Sequence, residues 1–171
     1  MVLNTAQFVL LKNDIVADIA LNSQPQNSDG AFAIASAYNL NAVSDYWVWR
    51  SSVSKSELVS ETSVDNTTFT WVGNGFITRS AGEQTAFREI FGDVGMVNAA
   101  LPQVRQAFLD IFSGTGNAAA NRTHLATISR RRATRAEKLF AVGTGTTAAP
   151  ALMTFEGALS YQDMQTAREL P

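Results

Sequence analysis

The sequence predicts a mainly α protein: a compact helical domain over residues 1–142 with room for one small β-hairpin, then a hinge and an extended C-terminal arm over 143–171. Three observations predict it. Pairs that can close a capping box recur at Asn4/Gln7, Ser54/Glu57, Ser80/Glu83 and Thr134/Glu137, each satisfying two of the backbone donors that a helix start leaves open. Apolar residues follow these caps at spacings of three and four, the period of one helix face. Glycine and proline fall mostly between those segments.

In order, Asn4 caps a helix over about 5–21 whose Phe8, Leu11, Ile15 and Ile19 share a face. Pro25 in the polar stretch NSQPQNSD forbids its continuation. Ser28 or Asp29 caps a second helix to about Asn41, with a stripe of small side chains that lets another helix approach closely. Tyr46 to Arg50 is an extended aromatic run that anchors either the core or an interface, with Arg50 placed to stack on Trp49 or to sit at the core rim. Ser54 then starts a short helix. The β-branched and aromatic run 62–79 around Gly73, Asn74 and Gly75 suggests a hairpin or an ordered loop. Ser80 starts a helix that stops at Gly92, and Pro102 starts one that ends before Gly114. Residues 117–142 read as one long helix, or as two if the Thr134/Glu137 pair restarts it after a break at 132–134. Ser160 and Asp163 cap a last helix. Five to seven helices are expected, packed on Phe8, Ile15, Ile34, Trp47, Trp49, Phe87, Ile90, Phe108 and Leu139.

At 171 residues, with 46% apolar and 16% charged residues, the chain can bury a core of its own, and one domain is expected. So few charges leave apolar surface for neighbouring subunits to cover, which favours an oligomer. The net charge is −2, unevenly spread: −5 over residues 1–113, +5 over 114–155 and −2 over 156–171. Lobes of opposite sign suit head-to-tail docking between copies or an acidic partner. The absence of cysteine excludes disulfides and thiolate metal sites, and a lone His124 leaves no histidine cluster, so no cofactor or metal is expected. No signal-peptide core or membrane-length apolar run is visible, so a soluble, unsecreted protein is expected, with the sequons at Asn66 and Asn121 arising by chance.

No arrangement of residues supports catalysis. Gly143-Thr144-Gly145-Thr146 lacks the strand before it and the lysine after it that a phosphate loop needs, and reads as a hinge. The acids sit at caps or on polar faces, and the serines lack a base, so an enzyme is not expected. Arg122, Arg130, Arg131, Arg132, Arg135 and Lys138 are the local anomaly, six of the 13 Lys and Arg against one acid, Glu137. On a helix, Arg131, Arg135 and Lys138 share a face that could track phosphates, pair with carboxylates across a subunit interface, or lie in solvent. Beyond the hinge, Leu152, Met153, Phe155, Leu159, Tyr161 and Met164 require a partner surface, and the expectation is a neighbouring protein reached by the arm, the alternative being that the segment folds back to complete its own core.

The segments TAQFVLLKNDI, SDGAFAIASAYN, VWRSSVS and RRRATRAEKLFAVGTGTTAAPALMTFEGALSYQDM together resemble a group of small virion structural proteins of tailed bacteriophages. The likeness covers most of the chain and is weakest over 62–78. Among phage parts of this size the chain is most similar to head-to-tail connector proteins, the neck adaptors: mainly helical, assembled as a homo-oligomeric ring beneath the portal, with a C-terminal arm that clasps a neighbour. Tail terminators and stoppers carry more β structure. The resemblance implies a structural, portal-binding component of the virion, assembled in the host cytoplasm, with the portal and neighbouring neck or tail proteins as partners, no membrane and no catalytic residues. The alternative is a DNA-contacting assembly or packaging protein that grips packaged DNA with the basic helix 122–138.

Overall fold

The computed structural model describes residues 2–171. In chain order the elements are α1 (Thr5–Ala17), α2 (Ile19–Asn22), α3 (Ser28–Tyr38), β1 (Trp47–Trp49), β2 (Val53–Ser54), α4 (Lys55–Ser60), α5 (Ala81–Glu89), β3 (Met96–Val97), α6 (Pro102–Ile111), α7 (Asn117–Ile128), β4 (Arg130–Arg132), α8 (Arg135–Phe140), β5 (Ala141–Val142), β6 (Leu152–Met153) and α9 (Tyr161–Glu169), with a 3₁₀ turn at Gly73–Gly75. The mainly α class holds, and the strands form only two-stranded sheets: β1 with β4, β2 with β3, and β5 with β6. Nine α-helices lie among the described residues, more than the five to seven expected, because two expected long helices are each divided.

The first division is at Asp18. Its backbone is extended, and its side chain accepts from the N–H groups of Ala20 and Leu21, so the residue that ends α1 also caps α2. The second is at Ser129. Thr134 caps α8 through the Thr134/Glu137 box, and the residues between form β4. All four boxes expected from sequence are closed, and Ser160/Asp163 closes a fifth at α9. The cap of α3 is Asn27, not Ser28 or Asp29. Its side chain accepts from Gly30 N, and Asp29 lies in the first turn, where its charge complements the helix dipole.

The chain divides into two compact units, Met1–Val48 with Arg132–Pro171 and Trp49–Arg131. The second is an insertion in the first, and β1 and β4 are the two strands in which the chain passes between them. The compact units do not follow the expected boundary between 142 and 143, since residues on both sides of it, 132–142 and 143–171, lie in the same unit.

Unit 1 is built on α1, α3, α8 and α9 around Leu11, Ile15, Ile34, Tyr38, Phe140 and Met164. Phe8 and Leu139, expected in the core, lie at its edge. The segment expected to leave as an arm closes this core. β5 pairs antiparallel with β6, Ala141 opposite Met153 and Val142 opposite Leu152, and the loop between them is tied to β1. Trp47 N donates to Gly145 O at 2.7 Å, and Ala151 N to Trp47 O at 2.8 Å. Gly145 is required there: its φ is +66°, and a Cβ would stand 2.2 Å from the Tyr46 ring. What reads as a hinge is the turn of a hairpin packed on an aromatic ring.

Unit 2 is built around rings. Phe87 stacks on Phe69 at 5.7 Å and meets Phe91 and Phe112 edge-on, each at 5.2 Å, in a cluster that also takes in Phe76 and Phe108. Of the other expected core residues, Trp49 and Ile90 are half-buried against this cluster. No hairpin forms over 62–79. Phe69 and Phe76 both point inward, and the backbone between them is held by a side chain of α7 rather than by a partner strand. Asn121, fully buried, accepts from Thr70 N at 2.7 Å and donates to Thr70 O and Gly75 O, each at 3.0 Å. Of the two places open to Arg50, stacked on Trp49 or at the core rim, the stack is taken by Arg105, which lies over the Trp49 ring at 4.6 Å, while the half-buried Arg50 pairs with Glu57.

Candidate functional site

The six basic residues do not form one helical face. Arg122 is on α7, Arg130, Arg131 and Arg132 form β4, and Arg135 and Lys138 lie on α8. Extended backbone sends successive side chains to opposite sides, so the phosphate-tracking face expected on one helix has no common axis. Each unit therefore holds its own share.

In unit 2, Arg122 donates to the carbonyl of Phe112. Arg130 Nη2 lies 2.7 Å from Asp65 Oδ2. His124, the chain's only histidine, is fully buried and serves the fold: its Nδ1 meets Thr67 Oγ1 at 3.1 Å and its Nε2 meets Leu58 O at 2.9 Å.

In unit 1, Arg132 pairs with Asp45. Arg135, the first residue of α8, reaches two carboxylates of the N-terminal helices: Nη1 to Asp18 Oδ2 at 2.7 Å and Nη2 to Asp14 Oδ2 at 2.8 Å. Its guanidinium lies 4.7 Å from the Tyr38 ring, and the Tyr38 hydroxyl donates to Asp14. The hydrogen bond from Arg135, helped by the N–H groups of α2, holds the Asp18 carboxyl below its ordinary value. Burial, followed by the bond to Asp14, raises the Tyr38 phenol well above its ordinary value. For Arg135 itself burial works downward, but its bonds to Asp14 and Asp18 outweigh that and strengthen its hold on the proton. The cluster is a clamp that fixes α8 to α1 and α2.

Beside the clamp runs a groove of about 650 Å³, lined by Leu40, Val43, Leu139, Asn41, Arg135 and Lys138 among others. Leu40 and Val43 are exposed, and the Lys138 ammonium sits 5.6 Å from the centre of the Tyr46 ring. Of the residues expected to contact a neighbour through an arm, Phe155, Leu159 and Met164 are instead buried in the unit 1 core. Met153 is half-buried against Val48, Ala133 and Ala151. Leu152 and Tyr161 remain exposed.

Two polar side chains outside the expected site residues act as anchors. Asn39 accepts from Leu159 N at 2.8 Å and donates to Leu159 O at 2.9 Å, which fastens the C-terminal segment to the end of α3. Asn121 does the same for residue 70 in unit 2. Asn121 inside a helix, where asparagine lowers helix propensity, was the one available signal, while Asn39 at the C-cap of α3 sits where asparagine is ordinary.

No group of three or more histidine or acidic side chains able to hold a metal ion occurs among the described residues, and no helix of these residues is long and apolar enough to cross a membrane. No protein-family model, curated protein or solved structure matches the chain.

Proposed function

We propose that this chain is a structural, non-enzymatic component of a tailed-phage virion, a head-to-tail adaptor that works as a homo-oligomeric ring beneath the portal. The reading rests on the resemblance of its segments to small virion proteins and on one structural observation, the two-sided apolar character of the N-terminal helices. α1 buries Leu11 and Ile15 yet leaves Val9, Leu10 and Val16 exposed, and Ile19 and Phe32 are exposed on α2 and α3. Each large apolar side chain left in water forgoes roughly 1.5–3 kcal/mol of burial. Neighbouring subunits, the portal and adjacent neck or tail proteins are the partners that would recover it.

A DNA-gripping packaging role draws less support, because Arg130, Arg132 and Arg135 are already turned to Asp65, Asp45 and the Asp14/Asp18 pair. Negative-stain microscopy of the purified chain, alone and with portal, tests the adaptor reading: ring-shaped particles that cosediment with portal are expected. Retention of DNA that falls steeply with added salt, without rings, would replace it with the packaging role.

A further inference from the structure

α1 holds its own unit with one face and offers another to solvent. The inner face buries Leu11 and Ile15. The outer face carries Ala6, Val9, Leu10, Asn13, Val16 and Ala17, all exposed, at the spacings of three and four that line one side of a helix. No charge lies on it. The helix has two ionic side chains, Lys12 and Asp14, and both are engaged within unit 1. Lys12 Nζ donates to the backbone oxygens of Leu170 and Pro171, at 2.8 and 2.6 Å, and Asp14 accepts from Arg135 and from the Tyr38 hydroxyl.

This distribution narrows the occupant. A lipid surface is held by cations at the rim of an apolar face, and the one cation of α1 is turned to residues 170 and 171. A charged protein partner is recognised by countercharges, and the face offers none. An identical face meets it with no like charges opposed. Asn13, midway along the face, adds the specific argument. Its carboxamide makes no hydrogen bond among the described residues, and it presents an acceptor and two donors. A second Asn13 carries the matching pair, so two carboxamides meeting across a two-fold axis satisfy each other, as a single asparagine does when it sets the register of paired helices.

We propose that two copies pair α1 against α1, antiparallel, about a two-fold axis at Asn13. Leu10, three residues before Asn13, then lies against Val16 of the second copy, three residues after, and Val9 lies against Ala17 in the same way. Opposed helix dipoles favour the antiparallel sense. At 13 residues the helix is about 20 Å long, so the buried area falls at the small end of specific interfaces and association is weak and concentration-dependent. A two-fold contact does not close a ring of more than two copies, so the pair belongs to the chain free of portal and goes beyond the ring reading without resting on it.

Sedimentation equilibrium of the full chain tests it. Wild type is expected to form a dimer that grows with concentration. Leu10→Lys combined with Val16→Lys sets lysines opposite one another and should weaken the dimer about tenfold or more in Kd. Asn13→Asp, which places two carboxylates on the axis, should do the same. Leu10→Glu combined with Val16→Lys sets glutamate opposite lysine at both ends of the antiparallel pair, and should recover a dimer that now weakens with salt. That recovery also shows that the fold survives substitution at both positions. In a parallel pair the same variant would oppose like charges. If wild type stays monomeric at millimolar concentration, or if the glutamate and lysine variant dissociates as fully as the double lysine one, the antiparallel pair is overturned. Flotation of a monomeric wild type with phosphatidylglycerol vesicles would overturn it in favour of lipid. None of these outcomes decides whether rings form with portal, which the microscopy above reads separately.

Discussion

Asn121 and Thr70 are joined by two hydrogen bonds: the Asn121 side-chain oxygen accepts from Thr70 N at 2.7 Å, and its amide donates to Thr70 O at 3.0 Å. A third bond, to Gly75 O, uses the remaining amide hydrogen, so one buried side chain supplies the ladder that residues 70–75 would otherwise take from a strand. It follows that Asn121→Ala should leave one N–H and two carbonyls unsatisfied inside unit 2. A loss of about 2–4 kcal/mol in urea unfolding is expected. A loss under about 1 kcal/mol would mean that water replaces these bonds and that the aromatic cluster alone orders the loop.

The Arg135 clamp makes stability depend on acid. Asp18 is held below its ordinary value of 3.8, so its contribution is present above that value and is lost as pH falls through the depressed one. Asp18→Asn keeps a capping side chain for α2 but removes the charge. The variant should therefore lose less stability than wild type on going from neutral pH to below pH 3.8, as read by thermal unfolding across that window. Parallel curves would show that the pair is screened by solvent and contributes nothing measurable.

Removal of residues 146–171 should not leave a well-behaved unit 1. It takes Phe155, Leu159, Met164 and Ala167 out of the core and strips Asn39 of both bonds to Leu159. At roughly 1.5–3 kcal/mol for each large side chain, the loss is comparable to the whole stability of a small domain, about 5–15 kcal/mol. Dispersed amide resonances with a retained helical circular dichroism spectrum in the truncated chain would contradict this packing. Met164→Ala is the milder version, with an expected cost of about 2–4 kcal/mol.

Gly145→Ala should destabilise the β5–β6 hairpin through two separate effects, a backbone at φ +66° and a Cβ that would meet the Tyr46 ring. A cost of about 1–3 kcal/mol is expected. In a double-mutant cycle, Tyr46→Ala should relieve the steric share and leave the conformational one, giving clear non-additivity. Strict additivity would mean that the ring moves aside freely.

How much of this was legible in the sequence depended on how far apart the interacting residues lie. Helix starts were legible because a capping box is made by residues three apart, and Asn4/Gln7, Ser54/Glu57, Ser80/Glu83 and Thr134/Glu137 all close as their spacing requires. The mainly α class followed from them. Tertiary structure decided where the chain turns back on itself. Arg130 to Arg132 have ordinary helix propensity, yet they form a strand because β1 pairs with them. Arg135 looked like part of a basic face until Asp14, 121 positions away, was placed beside it. Of the apolar C-terminal residues, Phe155, Leu159 and Met164 are buried while Leu152 and Tyr161 stay exposed, because hydrophobicity has no address: that α1 and α3 of the same chain cover the first three follows from contacts such as Asn39 with Leu159, 120 positions apart. Local hydrogen-bond chemistry is written in short spacings, whereas burial depends on which distant segment completes the core.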